Sequence, residues 1–274
     1  MISHQRQLEI TEWICREGKA TIAELAEHFG VSGETVRRDL SAIAKGGRIR
    51  KVHGGAIALR DPIRDESYAV RQAQNQYSKQ QIGALAARLL SDNSVIGIDS
   101  GTCAESFARA IYNVKNLKII THSLPVAMIL AEKLTRGDFT GSVSILGGTV
   151  TPETGTVGGM VALSQISPYR MDQAFVAVTA VSDEGLMATC EQDGLLSAAL
   201  IRQSNRAYLL AESDKMDKQS LYRFADFQSI RGIITDDQHD LSPALHQAIT
   251  ENGVELHVAQ VRAKTGAPQE GEEA

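Results

Sequence analysis

Between residues 77 and 260, short apolar runs alternate with amphipathic stretches, and this alternation constrains the fold of the chain more than any other feature. Residues 94–98, 118–120, 142–146, 174–178, 206–211, 232–234 and 254–258 are apolar runs of strand length. Between most of them lie stretches with helical spacing, among them 80–90, 103–112, 126–134 and 195–204. Strands that are apolar on both faces need cover on both faces, so this order predicts an α/β domain around a mainly parallel sheet. The full chain has 274 residues, more than one such domain needs and too few for three, so a second, smaller domain is expected in front of it.

Charge separates the two parts. Residues 1–60 hold 10 Lys and Arg against 7 Asp and Glu, a net +3, whereas the remainder holds 18 against 26, a net −8. Within residues 35–51 the cations Arg37, Arg38, Lys45, Arg48, Arg50 and Lys51 face a single acid, Asp39. A basic end on an acidic body suits a polyanion-binding module joined to something else. Helical spacing gives that module a shape. Thr21 and Glu24 have capping-box spacing, with Ile22, Leu25, Ala26 and Phe29 on one face; Gly30 then marks a turn and Ser32 an N-cap, and Val36, Leu40 and Ile43 form a second stripe. Arg37, Arg38 and Ser41 fall off that stripe and point outward. Residues 32–45 therefore read as the recognition helix of a helix-turn-helix. Ile10, Trp13 and Ile14 imply an earlier helix, and residues 48–52 and 56–59 around His53-Gly54-Gly55 imply a hairpin wing. Arginine and lysine neutralise phosphates, arginine forks onto guanine edges, and hydroxyls reach either, so Ser32, Thr35, Arg37, Arg38, Ser41, Lys51 and His53 are the candidate DNA contacts.

The run Val31-Ser-Gly-Glu-Thr-Val-Arg-Arg-Asp-Leu40, followed by Lys51-Val-His-Gly-Gly-Ala56, resembles the amino-terminal signature of the DeoR/GlpR-type bacterial transcription regulators. That resemblance implies a sequence-specific repressor, usually of a carbohydrate operon. Residues 61–76 are polar, poorly periodic and carry a proline, so they are expected to be a linker between a domain at 1–60 and one at 77–260. The tail at 261–274 is expected to be disordered.

In the larger domain the residues after each apolar run carry the chemistry: Asp99-Ser-Gly-Thr102, Thr121-His-Ser123, Gly147-Gly148 and Glu212-Ser-Asp-Lys215. Open α/β sheets bind ligands beyond the carboxyl ends of their strands. A Ser-Gly-Thr turn before a helix suits a phosphate, because glycine admits close approach, hydroxyls donate, and the helix start exposes N–H groups. Asp99, Ser100, Gly101, Thr102, Thr121, Ser123, Gly147, Gly148 and Lys215 are accordingly the candidate effector residues, with Lys215 as a cation and Asp99 as an acceptor for sugar hydroxyls. The segments IGIDSGT, IITHS, ILGG, MDQAF, LLAESDK and IITD occur in the order of the same family's effector domain, which is similar to the sugar-phosphate isomerase fold. Five positions depart from that family's pattern: Cys103 and His122 replace a threonine and an asparagine, Ala177 and Ala180 replace glycines, and Ser197 replaces a lysine.

These features point to a repressor that holds operator DNA and releases it on binding a phosphorylated sugar, working as a dimer or tetramer. The alternative is a sugar-phosphate isomerase-like enzyme carrying a DNA-binding domain, for which Asp99, Asp172, Glu212 and Asp214 would supply a base. No catalytic constellation, metal site or cofactor motif is expected. No apolar run approaches the ~18 residues that span a membrane, no secretory leader is apparent, and three scattered cysteines fit a reducing compartment, so the expected location is the cytoplasm.

Overall fold

The computed structural model describes residues 6–7, 9–11, 13–14, 19–44, 49–52, 54–58 and 68–261. The chain divides into two units, Met1–Asp65 and Glu66–Ala274.

In the first unit Arg6, Gln7, residues 9–11, Trp13 and Ile14 are helical. They precede β1 (Lys19–Thr21), α1 (Ile22–Phe29), α2 (Gly33–Ala44), β2 (Ile49–Val52) and β3 (Gly55–Ala58). The Thr21 capping box forms as its spacing predicts, and Gly30 ends α1 in the left-handed region at φ 62°. Ile10, Ile14, Leu25, Val36, Leu40 and Ile49 make a small fully buried core. The wing has one strand more than the sequence predicts: β1 joins the β2–β3 hairpin, pairing antiparallel with β3. Three residues are too few to show a period, and only the pairing makes Lys19–Thr21 a strand. Gly55 permits it, since a Cβ there would stand 2.2 Å from the Ala20 carbonyl oxygen.

Residues 61–76, expected as an irregular linker, contain α3 (Tyr68–Ala73) and the start of α4 (Gln76–Ala87). The six residues of α3 are less than two turns, too short for a stripe, and the contacts that hold it lie far along the chain: the Tyr68 hydroxyl donates to the buried Glu105 carboxylate, and Gln72 approaches the same group. Burial and that bond raise the Tyr68 pKa. The expected disorder of 261–274 lies, apart from Val261, outside the described residues.

All seven apolar runs become strands of one parallel sheet: β4 (Val95–Ile98), β5 (Leu117–Thr121), β6 (Gly141–Ile145), β9 (Met171–Ala177), β12 (Ser204–Leu210), β14 (Gly232–Asp236) and β15 (Glu255–Ala259). Their order is β15-β14-β12-β9-β4-β5-β6, parallel throughout. Four strands, β5, β6, β9 and β12, start one to three residues before their apolar runs, and at the start of β9 polar side chains are used inside the fold. Asp172 accepts the Val95 N–H and Gln173 donates to the Leu89 carbonyl, so a polar entry to β9 reads as loop in the sequence.

Alternate residues of each strand face opposite layers. On one side Ile96, Ile98, Phe175, Tyr208 and Leu210 pack under α4, α5 (Thr102–Ala110) and α6 (Leu124–Arg136), with Phe175 between Phe107 and Tyr208 at ring separations of 4.3 and 5.6 Å. On the other, Ala174, Val176, Ala207, Leu209 and Ile233 meet α7 (Met160–Ile166), α8 (Glu191–Arg202) and α9 (Pro243–Glu251). Two small antiparallel pieces were not predicted: the hairpin β7 (Thr149–Thr151) with β8 (Thr156–Gly158), and the sheet of β10 (Ala180–Ser182), β11 (Gly185–Ala188) and β13 (Tyr222–Ala225). Their strands are three or four residues long, and β10 and β11 are buried at every position, so no alternation marks them. No described helix is long and apolar enough to cross a membrane.

Candidate functional site

In the first unit, α2 carries the basic residues on its outer face. Ser32 acts as its cap, its Oγ accepting the Thr35 N–H at 3.2 Å and lying 2.9 Å from Thr35 Oγ1. Arg37 and Arg38 are 58% and 82% exposed, and Glu34 is near both, at 3.4 and 3.8 Å. Exposed pairs this loose release an arginine at little cost. Asp39, by contrast, is only 3% exposed and binds Arg6 Nε at 2.7 Å and Gln7 at 2.9 Å, joining α2 to the preceding helical residues instead of neutralising the arginines beside it. On the wing, the Lys51 ammonium donates to Ser41 Oγ at 2.7 Å, which itself donates to the Arg37 carbonyl. Ser41 and Lys51 thus brace wing against helix. His53, Lys45 and Arg48 lie outside the described residues.

In the second unit the sheet order reverses at β4. After β4 the chain proceeds through β5 and β6 on one side, then returns to β4's other side with β9. Such a switch point leaves a gap between loops that depart in opposite directions. The β4 strand ends there at Asp99, and Gly101, at φ 104°, leads into α5, whose first turn no side chain caps. A Cβ on Gly101 would lie 3.6 Å from the Ala177 methyl, so Ala177, at the end of β9, walls this turn from the other side.

Asp99 is 2% exposed and turned into the protein. Its Oδ1 accepts the Ser100 N–H at 2.8 Å and contacts His122 Nε2 at 2.7 Å; its Oδ2 accepts the Ser197 hydroxyl at 2.7 Å and the Ala177 N–H at 3.2 Å. A carboxylate has about four acceptor sites, and all are filled from within the chain. His122, Ser197 and the backbone N–H of Ala177 therefore converge on one carboxylate, although they lie up to 98 residues from Asp99 along the chain.

Thr121 and Ser123 are buried beside this network and serve the backbone: Thr121 Oγ1 accepts the Ser123 N–H, and Ser123 Oγ caps α6 by accepting the Val126 N–H. Gly147 and Gly148 stand at the far side, after the edge strand β6, where the Gly147 N–H donates to Gln165 and the chain enters the β7–β8 hairpin. That hairpin folds over the end of β5 through the Val157 N–H to His122 carbonyl bond of 2.7 Å and the Ser123–Thr156 bridge.

Lys215 follows β12 in a short 3-10 turn, half-buried and 3.5 Å from Asp214. Close by, Lys79 and Glu212 form a buried ion pair at 3.5 Å, 3% and 8% exposed. Lys79 also donates to the carbonyls of Arg71 and of Gln74, the latter at 2.7 Å. Burial raises the Glu212 pKa and the Lys79 charge opposes it; burial and the Glu212 charge raise the Cys103 thiol's. Of the four carboxylates named for an isomerase-like reaction, Asp99 is saturated, Glu212 is paired with Lys79, Asp214 lies 3.5 Å from Lys215, and Asp172 lies at the amino ends of β4 and β9, the wrong end of the sheet. No group of three or more metal-ligating side chains occurs among the described residues.

A winged helix with an exposed basic recognition helix, joined to an α/β unit whose parallel sheet reverses order at β4, defines a DNA-binding protein with a separate sensing domain. The DeoR-like helix-turn-helix domain matches residues 6–61, and the DeoR C terminal sensor domain matches residues 74–237. The chain belongs to the DeoR family, whose members are DNA-binding transcriptional regulators and not enzymes. It is similar to the HTH-type transcriptional repressor GlcR of Bacillus subtilis, 28% identical with 95% of this chain and 98% of that one covered. The glycerol-3-phosphate regulon repressor of Escherichia coli is also 28% identical, over 93% of this chain and 98% of that repressor. Among solved structures, ribose 5-phosphate isomerase A from Methanocaldococcus jannaschii aligns with 52% of this chain and 55% of its own, at 18% identity and a TM-score of 0.36.

Proposed function

We propose that the protein represses a carbohydrate-related operon by holding operator DNA through α2 and the wing, and that a phosphorylated sugar bound at the β4–β9 switch point releases it. The observation that carries this reading is the uncapped first turn of α5 behind Gly101, set in a chain whose sensor domain belongs to this family. Helix N–H groups and the adjacent hydroxyls of Ser100 and Thr102 suit phosphate oxygens, and Lys215 supplies a cation from the β12 side. Thr121, Ser123, Gly147 and Gly148 form the opposite wall. On the DNA side, Arg37 and Arg38 carry the exposed positive charge, Ser32 and Thr35 stand at the helix start, and Ser41 and Lys51 fix the wing; His53 is proposed as a further contact from its place in the sequence alone.

Release demands that the sugar phosphate bind the DNA-free arrangement better than the DNA-bound one. Repeated or palindromic operator half-sites would call for a dimer or tetramer, and the cytoplasm is where such a regulator meets DNA and phosphorylated metabolites. The test is fluorescence anisotropy of the full chain on the DNA upstream of its own gene, with a panel of sugar phosphates and the matching free sugars. One phosphate raising the Kd, with its free sugar inactive, supports the reading. DNA binding that no phosphate alters removes the effector assignment, and no binding to the DNA removes the repressor assignment.

A further inference from the structure

We propose that His122 reads a hydroxyl group of the effector, taking the role that Asp99 has given up to the protein. The inference rests on the sugar-phosphate reading above and deepens it. Four protein donors fill the Asp99 carboxylate, so Nε2 of His122, 2.7 Å from Oδ1, must be the nitrogen that carries hydrogen. That bond commits Nε2 and leaves Nδ1 as the ring's one remaining polar atom, an acceptor while it holds its lone pair. His122 is 1% exposed, and its Nδ1 is buried without a hydrogen-bond partner among the described residues. A buried acceptor left unpaired costs stability, and such a group persists where a ligand completes it.

The position of the ring supports this role. His122 directly follows β5, one strand from the Gly101 turn at the end of β4, and the β7–β8 hairpin covers it through the Val157 bond to its carbonyl. A molecule whose phosphate sits on the first turn of α5 has its carbon chain beside the end of β5. The partner that an imidazole lone pair accepts from is an O–H or N–H donor, which a polyhydroxy chain provides and the dianion of a phosphate monoester does not. Asp99 is then a positioning residue: it orients the ring and selects its tautomer, with Ser197 and the Ala177 N–H holding the carboxylate in place. The assignment makes the effector a phosphorylated polyol or sugar with a free hydroxyl a few carbons from its phosphate.

The experiment compares wild type with His122→Gln, whose side-chain amide can still donate to Asp99 but has no ring nitrogen at the Nδ1 position. Operator release is titrated with glucose 6-phosphate, fructose 6-phosphate, fructose 1-phosphate and glycerol 3-phosphate, and then with monodeoxy analogues of whichever one acts. The variant is expected to need about tenfold more effector, the loss of one hydrogen bond, with DNA affinity in the absence of effector unchanged. One monodeoxy analogue is expected to be about tenfold weaker than its parent on wild type and equal to it on the variant. Equal half-effect concentrations and equal deoxy penalties in the two proteins overturn the His122 assignment and leave the sugar-phosphate reading standing. A panel that moves neither protein overturns both. Should the glutamine variant fail to fold, 15N NMR of wild type decides: the Nδ1 resonance shifts as the active compound saturates the protein, and a stationary resonance overturns the proposal.

Discussion

The same residue type has opposite fates in this chain according to what is packed around it. Asp39, Asp99 and Glu212 are acidic residues beside basic or polar runs, and all three are buried against partners far away in sequence. Arg38, on the turn next to Asp39, is left 82% exposed. Arg38→Ala is expected to weaken operator binding by about 1–3 kcal/mol if its guanidinium reads a base edge, measured by anisotropy at fixed salt; an unchanged Kd removes it from the DNA contacts. Lys79→Met would strand Glu212 without its cation, and losses of about 3–5 kcal/mol are usual when one partner of a buried pair is removed. Chemical denaturation should show such a loss, and adding Glu212→Gln should return part of it. Because folding raises the Glu212 pKa, the folded state binds that proton more readily than the unfolded chain. The stability it contributes is present in full below the unfolded pKa and is lost as pH rises through the folded value. Wild type should therefore gain on Glu212→Gln as pH falls from 7 towards 4; a difference that does not change with pH excludes this linkage.

Periodicity found the elements long enough to show a period and missed those that exist only through pairing. The seven strands of the main sheet were legible as apolar runs alternating with helical stretches, and the helices α1 and α2 because each repeats its stripe within its own length. Lys19–Thr21, the β7–β8 hairpin and the β10-β11-β13 sheet were not, since three or four residues carry no repeat. The wing illustrates how closely such elements approach each other. Gly55→Ala places a methyl against the Ala20 carbonyl and is expected to cost about 1–3 kcal/mol, the usual range for overpacking, by separating β1 from β3. Thermal melting of the first unit would register it, and a melting temperature equal to wild type would mean that β1 moves aside freely. Helix α3 belongs with the missed elements, being held to the sheet domain by Glu105 and by the Lys79 bonds to carbonyls at its end.

The two units have apolar cores with no residue in common, one around Leu25, Val36 and Leu40 and the others on the two faces of the parallel sheet. Each should fold without the other. A fragment of residues 66–274 is expected to melt cooperatively, at a temperature that also appears in calorimetry of the full chain; a fragment lacking a cooperative transition would show that the sensor domain needs the first unit.

The amino-acid sequence determined the division into a basic helix-turn-helix module and an acidic α/β body, the seven strands of the sheet and the strand ends that gather its polar loops. All of these follow from charge counts, apolar runs and helical spacing, which a chain displays whether or not it is folded. Tertiary structure decided which polar groups remain available at the site. Asp99 looked like an acceptor for ligand, but the order β9-β4-β5 brings Ala177 and His122 to either side of it and α8 adds Ser197. Hydrogen-bond capacity is spent on whatever lies nearest in space, and for partners 23 to 98 residues apart only the strand order sets that distance.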